Sequence, residues 1–144
     1  MNAKSKTRKK MTKPARRSDC AVACTLDLIG DRWTLLVVRD LLGGKRYFDE
    51  FLRSSERIAT NILSARLGAL QEHGFIEKVP DPADQRRSAY RFTKEGRHLV
   101  ELLYDIARWG RKHLPGTRIV EGIKLPRAQC NPLLHVRSSR RRIA

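Results

Sequence analysis

Ile58–Lys78 reads IATNILSARLGALQEHGFIEK, and its two sides differ. Turned at about 100° per residue, Ala59, Leu63, Leu67 and Leu70 gather on one side with Ile62 at its edge, whereas Asn61, Ser64, Ala65, Gly68 and Glu72 fall opposite. The first set would bury. The second holds no bulky apolar group, so another surface could approach the backbone closely. An amphipathic helix with a merely solvated outer face has the same pattern in isolation. The neighbouring segments have to decide between the two.

Upstream, CAVACTLDLIG (20–30) places Val22, Ala23, Leu26 and Ile29 on one helical face and ends at Gly30, a natural C′ residue. Asp31 can cap a second helix, RWTLLVVRDLL (32–42), with Trp33, Leu36, Val37 and Leu41 inward and Gly43-Gly44 as its stop. In YFDEFLRS (47–54), Phe48, Phe51 and Leu52 make an i, i+3, i+4 triplet. The polar connection SSER (54–57) leads back to the opening stretch, which Gly74 terminates. Short helices joined by tight turns, the last with a small-residue outer face, describe a helix-turn-helix. Downstream the period changes. FIEKV (75–79) and AYRF (89–92) are rich in β-formers and flank PDPADQRRS (80–88), which Pro80 and Pro82 keep from being helical. Thr93 is a good N-cap for a long helix from Lys94 to about His113, striped by Leu99, Leu102, Leu103, Ile106, Trp109 and Gly110. The whole reads as a mainly α fold with a small β-hairpin wing, a winged helix-turn-helix (α+β) with a long C-terminal helix.

Composition bounds the rest. The 144 residues, 40% hydrophobic and 32% charged, suggest one soluble globular domain. No apolar run approaches the roughly 20 residues of a membrane span, and the basic N-terminus lacks the apolar segment of a secretory signal. The cysteines, 3 in number, are too few for a disulfide scaffold and match no zinc spacing, which points to a reducing cytoplasm. His73, His98, His113 and His135 do not fall at metal-ligand or triad spacing with cysteines or carboxylates, and no Gly-rich phosphate loop follows a strand. No enzyme, metal or cofactor is therefore expected. The net charge of +16 divides as +8 over residues 1–18, +2 over 19–117 and +6 over 118–144. A disordered basic arm (1–18), a winged-helix body (19–114) and a basic irregular tail (115–144) follow, the tails suited to a polyanion without sequence preference.

That frame gives the small-residue face a meaning. The last helix of a helix-turn-helix enters the DNA major groove, and a groove about 12 Å wide admits it only if its leading face is uncrowded. On a recognition helix over about 60–73, Asn61 suits adenine, Ser64 suits base or phosphate, and Ala65 suits a thymine methyl. The Thr60 hydroxyl either caps the helix or meets phosphate. Arg66 lies near the buried edge, with an internal ion pair and a phosphate contact both open. Arg86 and Arg87 at the tip of a wing over about 80–88 are phosphate or minor-groove candidates, and Arg46 could hold the DNA backbone on the other side. A helix near 20 residues outruns so small a body. Its far end needs cover from a second copy or, alternatively, from the tail.

CAVACTLDLIGDRWTLLVVRDLLGGKRYFDEF, RIATNILSARLGALQEHGFIEK and YRFTKEGR together resemble the HxlR-type family of bacterial winged-helix transcriptional regulators. The resemblance spans about residues 19–113 and includes Cys20, the IGDRW step, IATNILSARL, and Thr93 with Gly96. It implies a homodimer through helices at about 20–29 and 94–113, bound to a roughly palindromic double-stranded operator. Two departures stand out. Tyr47 occupies a position where the family pattern commonly has a basic residue, and the wing has Ala89 before Tyr90 where an acid is usual, closer to MarR-type regulators. The family similarity also marks Cys20 as a redox-sensing candidate, since some members use this cysteine as a switch. A helix N-terminus favours the thiolate. Arg16 and Arg17 would add to that, and Asp19 would oppose it. The plainer alternative is a cysteine that packs at the dimer junction. Cys24, one turn on, would strain the helix if bridged to Cys20, so an intersubunit bond is the more credible oxidised form. Cys130 has no evident partner. The competing function is a DNA-packaging or RNA-binding protein driven by its tails.

Overall fold

The computed structural model describes residues 18–120 and 123–125. The expected basic arm apart from Ser18, most of the expected tail, and with them Arg16, Arg17, Cys130 and His135 lie outside the described residues. In chain order the elements are α1 (Ala21–Ile29), α2 (Thr34–Leu42), α3 (Phe48–Leu52), α4 (Thr60–Glu72), β1 (Ile76–Pro80), β2 (Ser88–Phe92) and α5 (Arg97–His113). This is the winged-helix order anticipated from the sequence.

α2 forms the centre because its apolar residues repeat on one face and both ends are fixed. Asp31 accepts N–H bonds from Trp33 (2.8 Å) and Thr34 (3.1 Å) and the Thr34 hydroxyl, so the expected cap is made. Val37, Val38 and Leu41 are buried against Phe51 of α3, Leu63, Leu67 and Leu70 of α4, Ile76, Tyr90 and Leu103. Phe51 meets Tyr90 edge-on, with centroids 6.2 Å apart. Trp33 and Leu36 are only half-buried, and Val38 takes the deepest place instead.

A polar cluster sits inside this frame. Arg39 donates to both oxygens of Glu56 (2.7 and 2.8 Å) and to Asp40 (2.7 and 3.0 Å). The second Asp40 oxygen accepts from Lys45 Nζ (2.9 Å) and from the Ser54 hydroxyl. Each of these side chains has a partner, which offsets the desolvation cost of placing charged groups there. The cluster ties α2 to the turns on both sides of α3. The Arg39 bond is the chief reason the Glu56 carboxyl is held down at about 2.

The antiparallel hairpin pairs Ile76 with Phe92 and Pro80 with Ser88. Pro80 thus closes β1 rather than opening the loop, as an edge strand permits, and the wing loop proper is 81–87. The backbone of Arg46 joins the sheet by accepting the Tyr90 N–H at 2.8 Å. Thr93 donates to Gly74 O (2.5 Å) and accepts the Gly96 N–H (3.0 Å). It caps a turn over 94–96, so α5 starts at Arg97 instead of Lys94 and has 17 residues. A Cβ on Gly96 would stand 1.7 Å from the Phe75 carbonyl oxygen, so only glycine lets α5 dock against the start of β1. Gly74 ends α4 at φ 74°, the left-handed conformation expected of it. Gly30, by contrast, is right-handed at φ −77°. Close packing demands the glycine there, since a Cβ would meet Leu26 O at 2.4 Å.

α1 and the far half of α5 are left open. Val22, Leu26, Ile106 and Trp109 are 67%, 56%, 47% and 60% exposed. The described part of the tail does not cover them.

Candidate nucleic-acid interface

α4 divides as its sequence implies, with one exception. Leu63, Leu67 and Leu70 are buried and Ile62 packs against them, while Thr60, Asn61, Ser64, Ala65, Gly68 and Glu72 are exposed. Ala59 is exposed too, contrary to its inward placement above. It is the extended N-cap residue at ψ 144°, outside the helical rotation that the projection assumed. Thr60 makes no capping bond, and Asn61 and Ser64 have no side-chain hydrogen bond among the described residues. The leading turn of α4 therefore presents free amide and hydroxyl groups on a surface without bulk. Preceding it, Arg57 adopts φ 54°, where turns of this motif often place glycine.

Arg66 is half-turned inward. Its Nη1 lies 3.3 Å from Asp31 Oδ2, joining α4 to the cap of α2, and its Nε is buried without a partner among the described residues. Burial acts to raise the Asp31 carboxyl, but bonds from the Thr34 hydroxyl and from the Trp33 and Thr34 N–H groups, with the Arg66 charge, hold it below its ordinary value. Of the roles left open for Arg66, the ion pair is present.

The wing stands beside α3. Its loop is closed by Asp81 N–H to Arg87 O (3.0 Å) and Arg87 N–H to Asp84 O (2.9 Å). Arg86 is exposed. Arg87 lies over the Tyr47 ring, with Cζ 3.9 Å from the centroid, and its Nη2 is 3.4 Å from Asp49. The Tyr47 hydroxyl donates to buried Asp81, which holds the Asp81 carboxyl below its usual range and the Tyr47 phenol above its own. Glu50 accepts the N–H groups of Arg46 (2.6 Å) and Tyr47 (3.0 Å), which fixes the chain ahead of α3 and lowers the Glu50 carboxyl. Arg46 itself turns back, donating through Nη1 to Leu41 O (2.8 Å) and Lys45 O (3.1 Å). That donation places its Nη1 at the C-terminal end of α2, on a residue that stays exposed. Thr60, Asn61, Ser64 and Ala65 thus share one exposed face, with Arg86 and Arg87 on the wing; Arg66 and Arg46 are occupied by contacts within the chain.

Reading the sequence did not reveal Tyr47, Asp49 and Asp81 as parts of this surface. The departure at Tyr47 was visible, but its partners lie far along the chain and only the fold joins them. Cys20 is exposed ahead of α1, its N–H bonded to Ser18 Oγ at 3.1 Å, and Cys24 is half-buried with its thiol donating to Ser18 O at 3.1 Å. Both are free thiols. Among the described residues no group of histidines, cysteines and carboxylates could hold a metal ion, and no helix is long and apolar enough to cross a membrane.

Comparison with known proteins agrees with this architecture. The uncharacterized HTH-type transcriptional regulator Rv3095 of Mycobacterium tuberculosis is 38% identical over 95 residues, which are 66% of this chain and 60% of that protein. The chain therefore spans about 60% of the length of that relative. YdeP of Bacillus subtilis, described in the same words, is 30% identical over 94 residues, 65% of this chain and 73% of its own. Among solved structures, PA1607 superposes with a TM-score of 0.66 at 40% identity, covering 78% of this chain and 84% of that one. The oxidized form of the redox regulator HypR gives 0.59 at 27% identity, covering 70% and 100%. The HxlR-like helix-turn-helix model matches residues 28–118, from the end of α1 through α5, and the chain belongs to that family.

Proposed function

We propose that the protein is a sequence-specific DNA-binding transcriptional regulator acting as a homodimer, with α4 in the major groove and the wing loop on the backbone or in the minor groove. One observation carries the reading. Among the described residues, the first turns of α4 expose Asn61 and Ser64, without side-chain partners, on a face of small and polar residues. A leucine-lined inner face packs that helix into the core, and Arg66 joins it to the cap of α2, which supports outer groups preorganised for base edges. The matched relatives, described as transcriptional regulators, support the same reading.

The uncovered apolar residues of α1 and α5, which a second copy would bury, support the dimer. Two copies present two α4 helices to a palindromic site. Exposed Cys20 immediately precedes α1, one of the two helices with uncovered apolar residues, and HypR is a redox regulator of the same fold. Oxidation at Cys20 that alters operator affinity is part of the proposal. The cytoplasm is the compartment that fits a DNA-bound regulator with free thiols.

Selection of bound duplexes from a random pool is the direct test. A recovered palindrome with half-sites about one helical turn apart supports the regulator. Binding that ignores sequence and disappears when residues 1–18 and 118–144 are removed supports tail-driven packaging instead.

A further inference from the structure

We propose that Tyr47 is the positioning residue of the wing. On this reading its ring is the platform that presents the Arg87 guanidinium to DNA, and Asp49 is a built-in carboxylate that a DNA phosphate has to displace. The inference rests on the DNA-binding reading above. It deepens that reading by assigning roles to two residues on α3 and its approach.

The geometry begins with the backbone. Glu50 pins the N–H groups of residues 46 and 47, which leaves Tyr47 a narrow range of positions ahead of α3. Its hydroxyl then donates to Asp81, the first residue of the wing loop, whose other oxygen accepts the Ala83 N–H at 2.8 Å. The last loop residue, Arg87, is tied to Asp81 through the backbone at 3.0 Å and lies over the Tyr47 ring at 3.9 Å. Both ends of the loop thus meet on one aromatic side chain.

Stacking engages the face of a guanidinium and leaves its N–H edge available to acceptors in its plane. For Arg87 the described acceptor is Asp49, at 3.4 Å, longer than the 2.7–2.9 Å of a strong charge-assisted bond. Asp49 is also shared, since Arg53 Nη2 lies 3.2 Å from its other oxygen. Both Arg87 and Asp49 are about half exposed, so their pair is weak. A phosphate offers the same edge a stronger acceptor. A crevice of about 280 Å³ between α3 and the hairpin, lined in part by Tyr47, Asp49, Lys78, Arg86 and Arg87, marks the place. The cation at this place comes from the wing and lies on the Tyr47 ring.

The test measures binding of the full chain to a pool-selected duplex and to a mixed-sequence duplex, over a range of salt. Tyr47→Ala should weaken binding about two- to fivefold and lower the salt slope by about 1, and Arg87→Ala should do the same. Tyr47→Phe, which keeps the platform, should restore the slope. Adding Tyr47→Ala to Arg87→Ala should cost little more, because each acts through the same guanidinium. Asp49→Asn should tighten binding about two- to fivefold, and that gain should vanish when Arg87→Ala is present. Additive losses from Tyr47→Ala and Arg87→Ala, or an Asp49→Asn gain that survives without Arg87, would overturn the assignment while leaving DNA binding intact. Hydrogen exchange of residues 83–86 in the free protein gives a second readout: faster exchange in Tyr47→Ala alone supports the platform, and exchange equal to wild type refutes it. A wild type that binds neither duplex removes the DNA reading itself, and the platform proposal with it.

Discussion

Glu56 shows how one residue sets a pH response. Its carboxyl is drawn from the ordinary 4.5 to about 2, chiefly by the two Arg39 bonds, so the folded chain holds it ionised where the unfolded chain would protonate it. The stability it adds is complete above pH 4.5 and is lost as pH falls towards 2. Allowing for partial exposure of its side chain, that contribution is about 1–2 kcal/mol. Glu56→Gln should therefore lower the urea midpoint at pH 7 and lose less than wild type between pH 7 and pH 3. Equal acid sensitivity in both proteins would assign the response to Asp31, Glu50 and Asp81, which are shifted the same way. Gly96 is decided by space instead of charge. A methyl group there meets the Phe75 carbonyl, so Gly96→Ala should cost about 2–4 kcal/mol by thermal unfolding. A melt within a degree of wild type would show that α5 can shift aside.

At the scale of the element, α4 carries opposite expectations on its two faces. Leu67 is fully buried, and Leu67→Ala should destabilise the chain by about 3 kcal/mol whatever DNA is present. Asn61→Ala, on the exposed face, should leave the melt unchanged and relax operator preference at one base position, read by repeating the pool selection. Weaker binding by the same factor on every sequence would contradict the groove role of Asn61. Both faces were legible because a 3.6-residue period separates them without reference to any other segment. Ala59 was misplaced because a cap residue leaves the helical rotation, which the period cannot register. The wing's existence was equally plain from its prolines and β-formers. Its attachment to α3 was not, since Tyr47 and Asp81 are brought together only by folding.

For the whole molecule, the exposed stripe over α1 and α5 makes the oligomeric state the central expectation. Trp109→Glu should sediment as a monomer near 16.6 kDa, keep its fold, and lose cooperative binding to a two-half-site operator. A variant that stays dimeric would move the interface elsewhere. Removing both tails should reduce the salt slope while sparing preference, since most of the +16 charge lies there and the groups suited to base reading lie in the body.

The order of elements, the buried side of α4 and its uncrowded outer side were determined by the sequence alone. Each depends on periodicity, caps and turn residues, which act over a few neighbouring positions. Tertiary structure decided which charges remain free. Periodicity leaves Arg66 open between an ion pair and a phosphate contact, and the fold pairs it with Asp31; the Arg46 guanidinium donates to the Leu41 carbonyl, and Arg87 is set on the ring of Tyr47. Long side chains settle on whatever acceptor or aromatic face the fold carries within reach, and that distance is fixed only when remote segments pack.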